Sequence, residues 1–395
     1  MKIVFLRAYD FPLGGAAQNR LLAICKGLIE YGHNVEVHLF APAKLDLQLN
    51  ALKSQVYKEI QIYNHSWKWS PAKSKLDKIC GLLSGLIGTI IAILKSNHTE
   101  HIDYVFINNE KNYYIFPFFL TAKIIGARLG RDLNEYPLSV LSPERFNALH
   151  KRFKLITNYK WFDVLFIITN NLVNFYKPFV KRNSKILHLP VTVDFDRFPK
   201  QINSLNNLNQ ITYCGDLSQS KDGVLTLIRA FSLIKSEFPG IKLKLIGQNK
   251  DQNYNIKLKR LISDLNLSDN VILSGFVSPE EIPSELYKSR LLVLSRPDNI
   301  QSKGGFPTKL GEYLATGIPV AVTSVGEIPL YLKDGHNAFL AEPDNIESFA
   351  CAMSRALIDD NLALKVGLAG LDTAKKYFSH KNQGKIISDF LLNID

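Results

Sequence analysis

Sulfur is scarce in this 395-residue chain, and what there is lies scattered. Cys25, Cys80, Cys214 and Cys351 form no Cys-x-x-Cys pair, and the nine histidines show no ligand spacing. A disulfide framework and a zinc site are therefore not expected, and a reducing cytoplasm is the compartment that fits. Met1 and Lys2 lead into an apolar run too short for a secretory core, so no signal peptide is expected there. One uncharged apolar stretch, 79–94, has 16 residues and three interior glycines. It falls short of the roughly 20 residues that span a bilayer. It is expected as a buried helix. The alternative is an interfacial helix flanked by Lys73, Lys75, Lys78 and Lys95.

Acidic excess is also missing, and its absence is lopsided. Residues 1–200 hold 27 Lys+Arg against 15 Asp+Glu, whereas 201–395 hold 21 of each, so the whole net charge of +12 sits in the first half. Such asymmetry points that half toward an anionic partner. Nucleic acid is not expected, because the basic residues carry no aromatic interleaving of a known module. The lysine-rich 68–78 and the basic segment near Lys151, Arg152 and Lys154 suit peripheral contact with an anionic membrane, at its inner face for a cytoplasmic protein.

What is present is an alternation of short apolar strands and helices. Strands are expected at 2–6, 35–40, 103–108, 128–133, 164–169 and 186–189, with helices between them, including a basic helix over 144–159. The polar, Asn-rich 199–210 reads as a linker. The alternation then restarts, with strands at 211–214, 242–246, 271–273, 291–294, 320–323 and 338–340. This predicts an α/β protein of two Rossmann-like doubly wound domains, 1–198 and 211–380, facing each other across a cleft. A terminal helix, 381–395, could pack back on the first domain.

The most specific run is 304–320, Gly-Gly-Phe-Pro-Thr-Lys-Leu-Gly-Glu-Tyr-Leu-Ala-Thr-Gly-Ile-Pro-Val. A Gly-rich loop meets a helix start at Thr308, whose side chain can cap it. First-turn N–H groups favour an anion there. Glu312, one turn on, can accept both hydroxyls of a ribose. Lys309 and Glu312 are also i,i+3 neighbours. A second run, 213–223, places Lys221 and Gly223 just after a strand.

Together these runs resemble the glycosyltransferase family 4 type of the GT-B fold. That resemblance implies a retaining transferase that takes sugar from a nucleotide-sugar, most simply a UDP-sugar, to a glycan or lipid-linked acceptor in cell-surface polysaccharide synthesis. It implies that Glu312 holds the nucleotide ribose, that Lys221 binds the diphosphate, and that the backbone of Gly305, Phe306 and Pro307 faces the sugar. The family's first Glu would fall at Gly304, and Asp216 stands where the family commonly has Arg. The phosphate clamp must then be completed elsewhere, by Arg296 first and Lys309 second. Gly14 and Gly15 resemble the family's Gly-rich turn near the donor phosphates. Glu135, in Asn134-Glu135-Tyr136-Pro137, could orient an acceptor hydroxyl or take its proton. Asp194-Phe195-Asp196 has the metal-binding Asp-x-Asp form, but its context matches the interdomain turn of GT-B proteins. No metal and no cofactor are expected, the nucleotide-sugar being a co-substrate. Two other functions fit the same fold: a nucleotide-sugar epimerase, and a non-catalytic glycan- or lipid-binding relative.

Overall fold

A computed structural model describes residues 1–8, 11–12, 15–42, 52–67, 74–109, 111–137, 140, 148–199, 202–206 and 208–394. The chain divides into two compact units: Met1–Asp194 with His380–Asp395, and Phe195–Ser379. The division falls ahead of the expected 199–210 linker. The reason is local. Arg197, in a short 3-10 turn over Phe195–Arg197, bonds Glu312 and the Pro279 carbonyl, both of the second unit.

Among the described residues the first unit has eight strands: β1 (Lys2–Arg7), β2 (Asn34–Leu39), β3 (Ser54–Tyr57), β4 (Ile60–Asn64), β5 (Tyr104–Ile107), β6 (Arg128–Leu133), β7 (Val164–Ile167) and β8 (Lys185–His188). Their order is β3-β4-β2-β1-β5-β6-β7-β8, parallel except for the β3–β4 hairpin. The strands β1, β5 and β7 are almost wholly buried, as continuous apolar runs in a parallel sheet must be. On one face of the sheet, helices Ala16–Glu30 and His380–Leu392 pack together, and Ile24, Leu28, Ile387 and Leu391 join Phe5, Phe106 and Phe166 in a common core. The helices Lys75–Thr99, Asn112–Ile124 and Ala148–Tyr159 pack in sequence beside one another, and the right-handed crossover rule for parallel strands sets them on the other face.

The hairpin of β3 and β4 lies in a stretch where no strand was expected. Its two-residue turn is Lys58-Glu59, both with positive φ (49° and 69°), in place of the Asn-Gly or Asp-Gly that announces such turns. The apolar 79–94 run belongs to the 25-residue helix Lys75–Thr99, begun by Ser74, whose hydroxyl accepts from the Asp77 N–H. The expectation of a buried helix is corrected here. Its buried positions are Gly81, Gly85, Thr89 and Ile93, whereas Leu83, Ile87 and Ile91 are exposed. The small residues let the backbone approach the sheet closely, and the large apolar side chains are turned outward as a consequence.

The second unit carries β9 (Gln210–Cys214), β10 (Lys242–Ile246), β11 (Val271–Gly275), β12 (Leu291–Leu294), β13 (Val320–Thr323) and β14 (Phe339–Ala341), all parallel in the order β11-β10-β9-β12-β13-β14. The strand order reverses between β9 and β12. In open α/β sheets, ligands bind outside the carboxyl ends of the strands at such a point.

A buried ion pair fixes the first unit. Arg20, on the Ala16–Glu30 helix and 1% exposed, donates from Nε and one terminal nitrogen to Asp132 of β6 at 3.0 and 3.1 Å. It also donates to the carbonyls of Leu189 and Pro190. Asp132→Ala would leave a buried guanidinium without its counter-charge, which typically costs about 3–5 kcal/mol. Urea unfolding of the full chain should show that loss. A change below about 1 kcal/mol would contradict the assignment.

Candidate active site

The carboxyl ends of β9 and β12 gather the polar residues of the second unit. After β9 the chain turns through Gly215–Ser218 into a single helical turn, Gln219–Asp222, ended by Gly223 at φ 65°. Gly223 is required there. A Cβ would lie 1.9 Å from the Ser295 carbonyl oxygen, and the φ is left-handed. The Ser295 hydroxyl in turn donates to the Gly223 carbonyl at 2.9 Å, so the ends of β9 and β12 are tied together. Asn299 extends the tie by donating to the Ser220 carbonyl at 2.7 Å.

Asp222 is the centre of this arrangement. It is 1% exposed and accepts from Lys309 Nζ at 2.5 Å and from the Tyr213 hydroxyl at 2.8 Å. Lys309 also lies over the Tyr213 ring, 4.8 Å from its centroid. Burial alone would raise the Asp222 pKa. The Lys309 charge and hydrogen bond, with the more distant charge of Arg296, outweigh burial and hold it below its ordinary value. Burial pushes the Tyr213 phenol well above its ordinary range, and Asp222 adds to that. The phenol therefore stays a neutral hydrogen-bond donor.

Lys309 is the second residue of the helix Thr308–Ala315. The residue at the N-cap position is Pro307, with no side-chain cap, so Thr308 begins the helix and does not cap it. The first-turn N–H groups thus have no side-chain oxygen from that position. Gly304 closes the short helix Ile300–Gly304, and Gly305 and Pro307 form the extended link onward. Phe306 is turned into the unit's own core, its ring 5.5 Å from Tyr331 and 5.3 Å from Phe378. Only its backbone is available to a ligand. Glu312 is partly buried and paired with Arg197 at 2.5 Å. Lys309 turns to Asp222 while Glu312 turns to Arg197, so the i,i+3 pair expected from spacing gives way to two longer-range ones. Next to Glu312, the buried Tyr313 hydroxyl accepts from the Cys214 N–H at 2.6 Å and thereby anchors the helix to the end of β9.

Lys221 sits half-buried in the turn after β9, and the buried Arg296 follows β12. The structure therefore brings Lys221, Arg296, Gly305, Phe306, Pro307, Thr308, Lys309 and Glu312 to one end of one sheet. Asp216 is exposed, and its carbonyl accepts from the Tyr213 hydroxyl at 2.6 Å. Gly15 and Glu135 belong to the first unit. Gly15 occupies the N-cap position of Ala16–Glu30, and the exposed Glu135 follows β6, its carbonyl accepting from Tyr176. Gly14 lies outside the described residues. Sequence reasoning missed Arg197, Tyr213, Asp222 and Tyr313. Tyr213 and Tyr313 lie within the two motif runs, 213–223 and 304–320, and only tertiary geometry reveals their hydroxyl partners. The Asp-x-Asp is split between the units. Asp194 accepts from Lys26 at 2.8 Å and Lys58 at 3.2 Å in the first.

Residues 194–371 match the family described as Glycosyl transferases group 1. Among curated relatives, the poly(glycerol-phosphate) alpha-glucosyltransferase of Bacillus subtilis is 26% identical over 217 residues, covering 54% of this chain and 30% of its own length. A GDP-mannose-dependent alpha-(1-6)-phosphatidylinositol monomannoside mannosyltransferase of Mycolicibacterium smegmatis is 25% identical over 216 residues, covering 52% of this chain and 55% of that protein. The chain thus spans about a third to just over half of the length of these relatives. Among solved structures, Anabaena Alr3699/HepE in complex with UDP superposes with a TM-score of 0.72 at 18% identity, over 99% of this chain and 100% of that one. TarM superposes with a TM-score of 0.72 at 11% identity, over 99% and 98%. The fold is the two-unit α/β architecture of GT-B proteins.

The Asp222 pair makes a pH prediction. The folded pKa lies below the unfolded value of about 3.9. Its stabilisation is therefore complete above that value and lost as pH falls through the folded one. Asp222→Asn should destabilise the protein at pH 7 by about 3–5 kcal/mol and flatten the acid limb of stability below pH ~4. Acid limbs of equal slope in parent and variant, followed by urea midpoints from about pH 2 to 5, would contradict it.

Proposed function

We propose that this chain is a glycosyltransferase whose second unit binds a nucleotide-sugar donor at the β9/β12 end of its sheet. The observation that carries the reading is the placement of Glu312 one turn into the Thr308–Ala315 helix, with Lys221 and Arg296 at the ends of the two strands that flank the switch point. A carboxylate beside two cations and a helix start without a side-chain cap suits a nucleoside diphosphate. The ribose hydroxyls go to Glu312 and the diphosphate to the cations and backbone N–H groups. Arg197 holds the Glu312 carboxylate in place. The Asp222–Lys309–Tyr213 cluster fixes the start of the helix against β9.

On this reading, charge accumulates on the nucleoside diphosphate as the glycosidic bond breaks. Lys221, Arg296 and the Thr308 helix start lie where that charge develops, and each such group is typically worth ~3 kcal/mol in the transition state. We take the reaction to need no metal and to retain configuration, the acceptor hydroxyl attacking from the leaving-group side. UDP is the proposed nucleotide, supported by the UDP-bound state of the Anabaena neighbour. GDP is the competitor, named for the mycobacterial relatives. The proposed acceptor is a glycan or lipid-linked sugar of a surface polysaccharide, met by the first unit near Gly15 and Glu135. Asp216 and Gly304, in the places of the family's Arg and first Glu, support a second reading, a binding protein without transfer.

Calorimetry with UDP, GDP and ADP, followed by transfer assays with the matching sugars, tests the proposal. Glu312→Ala should weaken nucleotide binding by about 1.5–3 kcal/mol. Lys221→Ala should lower turnover roughly 10²–10³-fold while its unfolding midpoint stays that of the parent. Unchanged affinity in the first variant, or activity within about twofold in the second, would overturn the assigned roles. Full activity in EDTA is expected, and an absolute requirement for a divalent cation would contradict the metal-free step. Nucleotide binding without transfer would favour the second reading.

A further inference from the structure

Two neighbouring helices of the first unit present large apolar side chains to solvent. Along Lys75–Thr99 the buried stripe is Gly81, Gly85, Thr89 and Ile93. A Cβ on Gly85 would stand 2.2 Å from the Phe40 carbonyl oxygen, so this face is seated directly on backbone. The opposite stripe, at the same i,i+4 spacing, is Leu83, Ile87 and Ile91, which are 55%, 56% and 47% exposed. The helix packed beside it, Asn112–Ile124, is apolar on both its buried and its exposed face. There Tyr114, Ile115 and Phe118 are buried while Phe116, Leu120 and Ile124 are 47%, 44% and 76% exposed. A third helix, Ala148–Tyr159, bonds to the second through Asn112 Nδ2 and the Thr157 hydroxyl at 3.1 Å, and adds exposed Phe153 and Ile156. Neighbouring helices that each expose several large apolar side chains are unusual on a protein that meets only water.

The charges around the apolar stripes select the occupant. No charged residue occurs from 79 to 94, and exposed Lys75, Lys78 and Lys95 stand at the two ends of that stretch. Exposed Lys123 and Lys160 lie on and beside the other two helices, and Lys160 covers the ring of Trp161, which packs on Phe116 and Phe119. Apolar side chains within a lysine rim, with an aromatic at the boundary, match the layering of an anionic bilayer surface: acyl chains beneath, phosphates around. The surplus of 27 basic over 15 acidic residues in 1–200 has the same sign. The Lys75–Thr99 helix is also long and apolar enough to cross a membrane by composition. Its glycine face, however, is occupied by the sheet, which leaves the helix lying on the unit.

We propose that the outward faces of Lys75–Thr99 and Asn112–Ile124 form a monotopic docking surface for anionic phospholipid. Acyl chains take the Leu83, Ile87 and Ile91 stripe, and headgroup phosphates meet the flanking lysines. This takes up the interfacial-helix alternative raised from sequence for 79–94 and extends it: the anchor is the apolar stripe, and the neighbouring helix Asn112–Ile124 shares it. It is independent of the donor site, since every residue involved belongs to the first unit.

The test is flotation of the full chain with vesicles of phosphatidylcholine alone and of equal parts phosphatidylcholine and phosphatidylglycerol. Binding to the anionic vesicles is expected, weakened but not abolished by about 0.5 M salt. The double variant Leu83→Glu/Ile87→Glu should bind at least roughly tenfold more weakly, and so should Ile124→Glu on the neighbouring helix. Leu233→Glu, at an exposed position of the second unit, should bind as the parent does. Unfolding midpoints and nucleotide affinity of the variants are measured alongside. If the double variant fails to fold, Ile124→Glu carries the test. Parental vesicle binding in folded apolar-stripe variants overturns the proposal, as does a parent that ignores anionic vesicles. A parent that dimerises without binding vesicles, and becomes monomeric on Leu83→Glu/Ile87→Glu, would assign this face to a second copy of the chain and overturn it too.

Discussion

The second unit's site depends on one buried carboxylate. Asp222 sits at the end of the turn that follows β9, with almost no solvent contact, and two groups from different elements converge on it. Lys309 reaches it from the first turn of the Thr308–Ala315 helix and Tyr213 from within β9. A buried carboxylate is tolerated only when such partners are in place. The pair thus ties the helix start to the end of β9. Every other candidate group takes its position from that tie: Glu312 three residues after Lys309, Lys221 one residue before Asp222, and Arg296 beyond the serine that bonds the Gly223 carbonyl.

The same constraint explains the allocation of charges. Lys309 is engaged by Asp222 and Glu312 by Arg197, and the cations proposed for a diphosphate, Lys221 and Arg296, follow β9 and β12. Arg197 precedes β9 in the chain, yet it reaches the helix that follows β12. The opening segment of the second unit is therefore part of its site. The family match likewise begins at residue 194 and not after the Asn-rich stretch.

The fold was largely readable from residue pattern because parallel strands buried on both faces are continuous apolar runs. Strands 128–133, 242–246, 291–294 and 320–323 coincide with the observed elements. The β3–β4 hairpin escaped because Lys58-Glu59 takes a turn conformation that these residues rarely adopt. At the site, the glycines and Glu312 were legible as local motif. Asp222, Tyr213 and Arg197 were not, because their roles come from partners 87, 9 and 115 residues away. The helix of 75–99 misled for a different reason. Apolar content normally signals burial, but the buried face carries small residues, Gly81, Gly85 and Thr89 with Ile93, and the larger Leu83, Ile87 and Ile91 point outward.

In the proposed donor site a nucleoside diphosphate lies at the β9/β12 end of the second unit, with its ribose on Glu312. A crystal structure of the full chain grown with UDP tests this most directly. A ribose hydroxyl is expected within about 3.2 Å of the Glu312 carboxylate, and the diphosphate between the Thr308 helix start, Lys221 and Arg296. UDP bound at another end of either sheet, or its ribose turned away from Glu312, would contradict it.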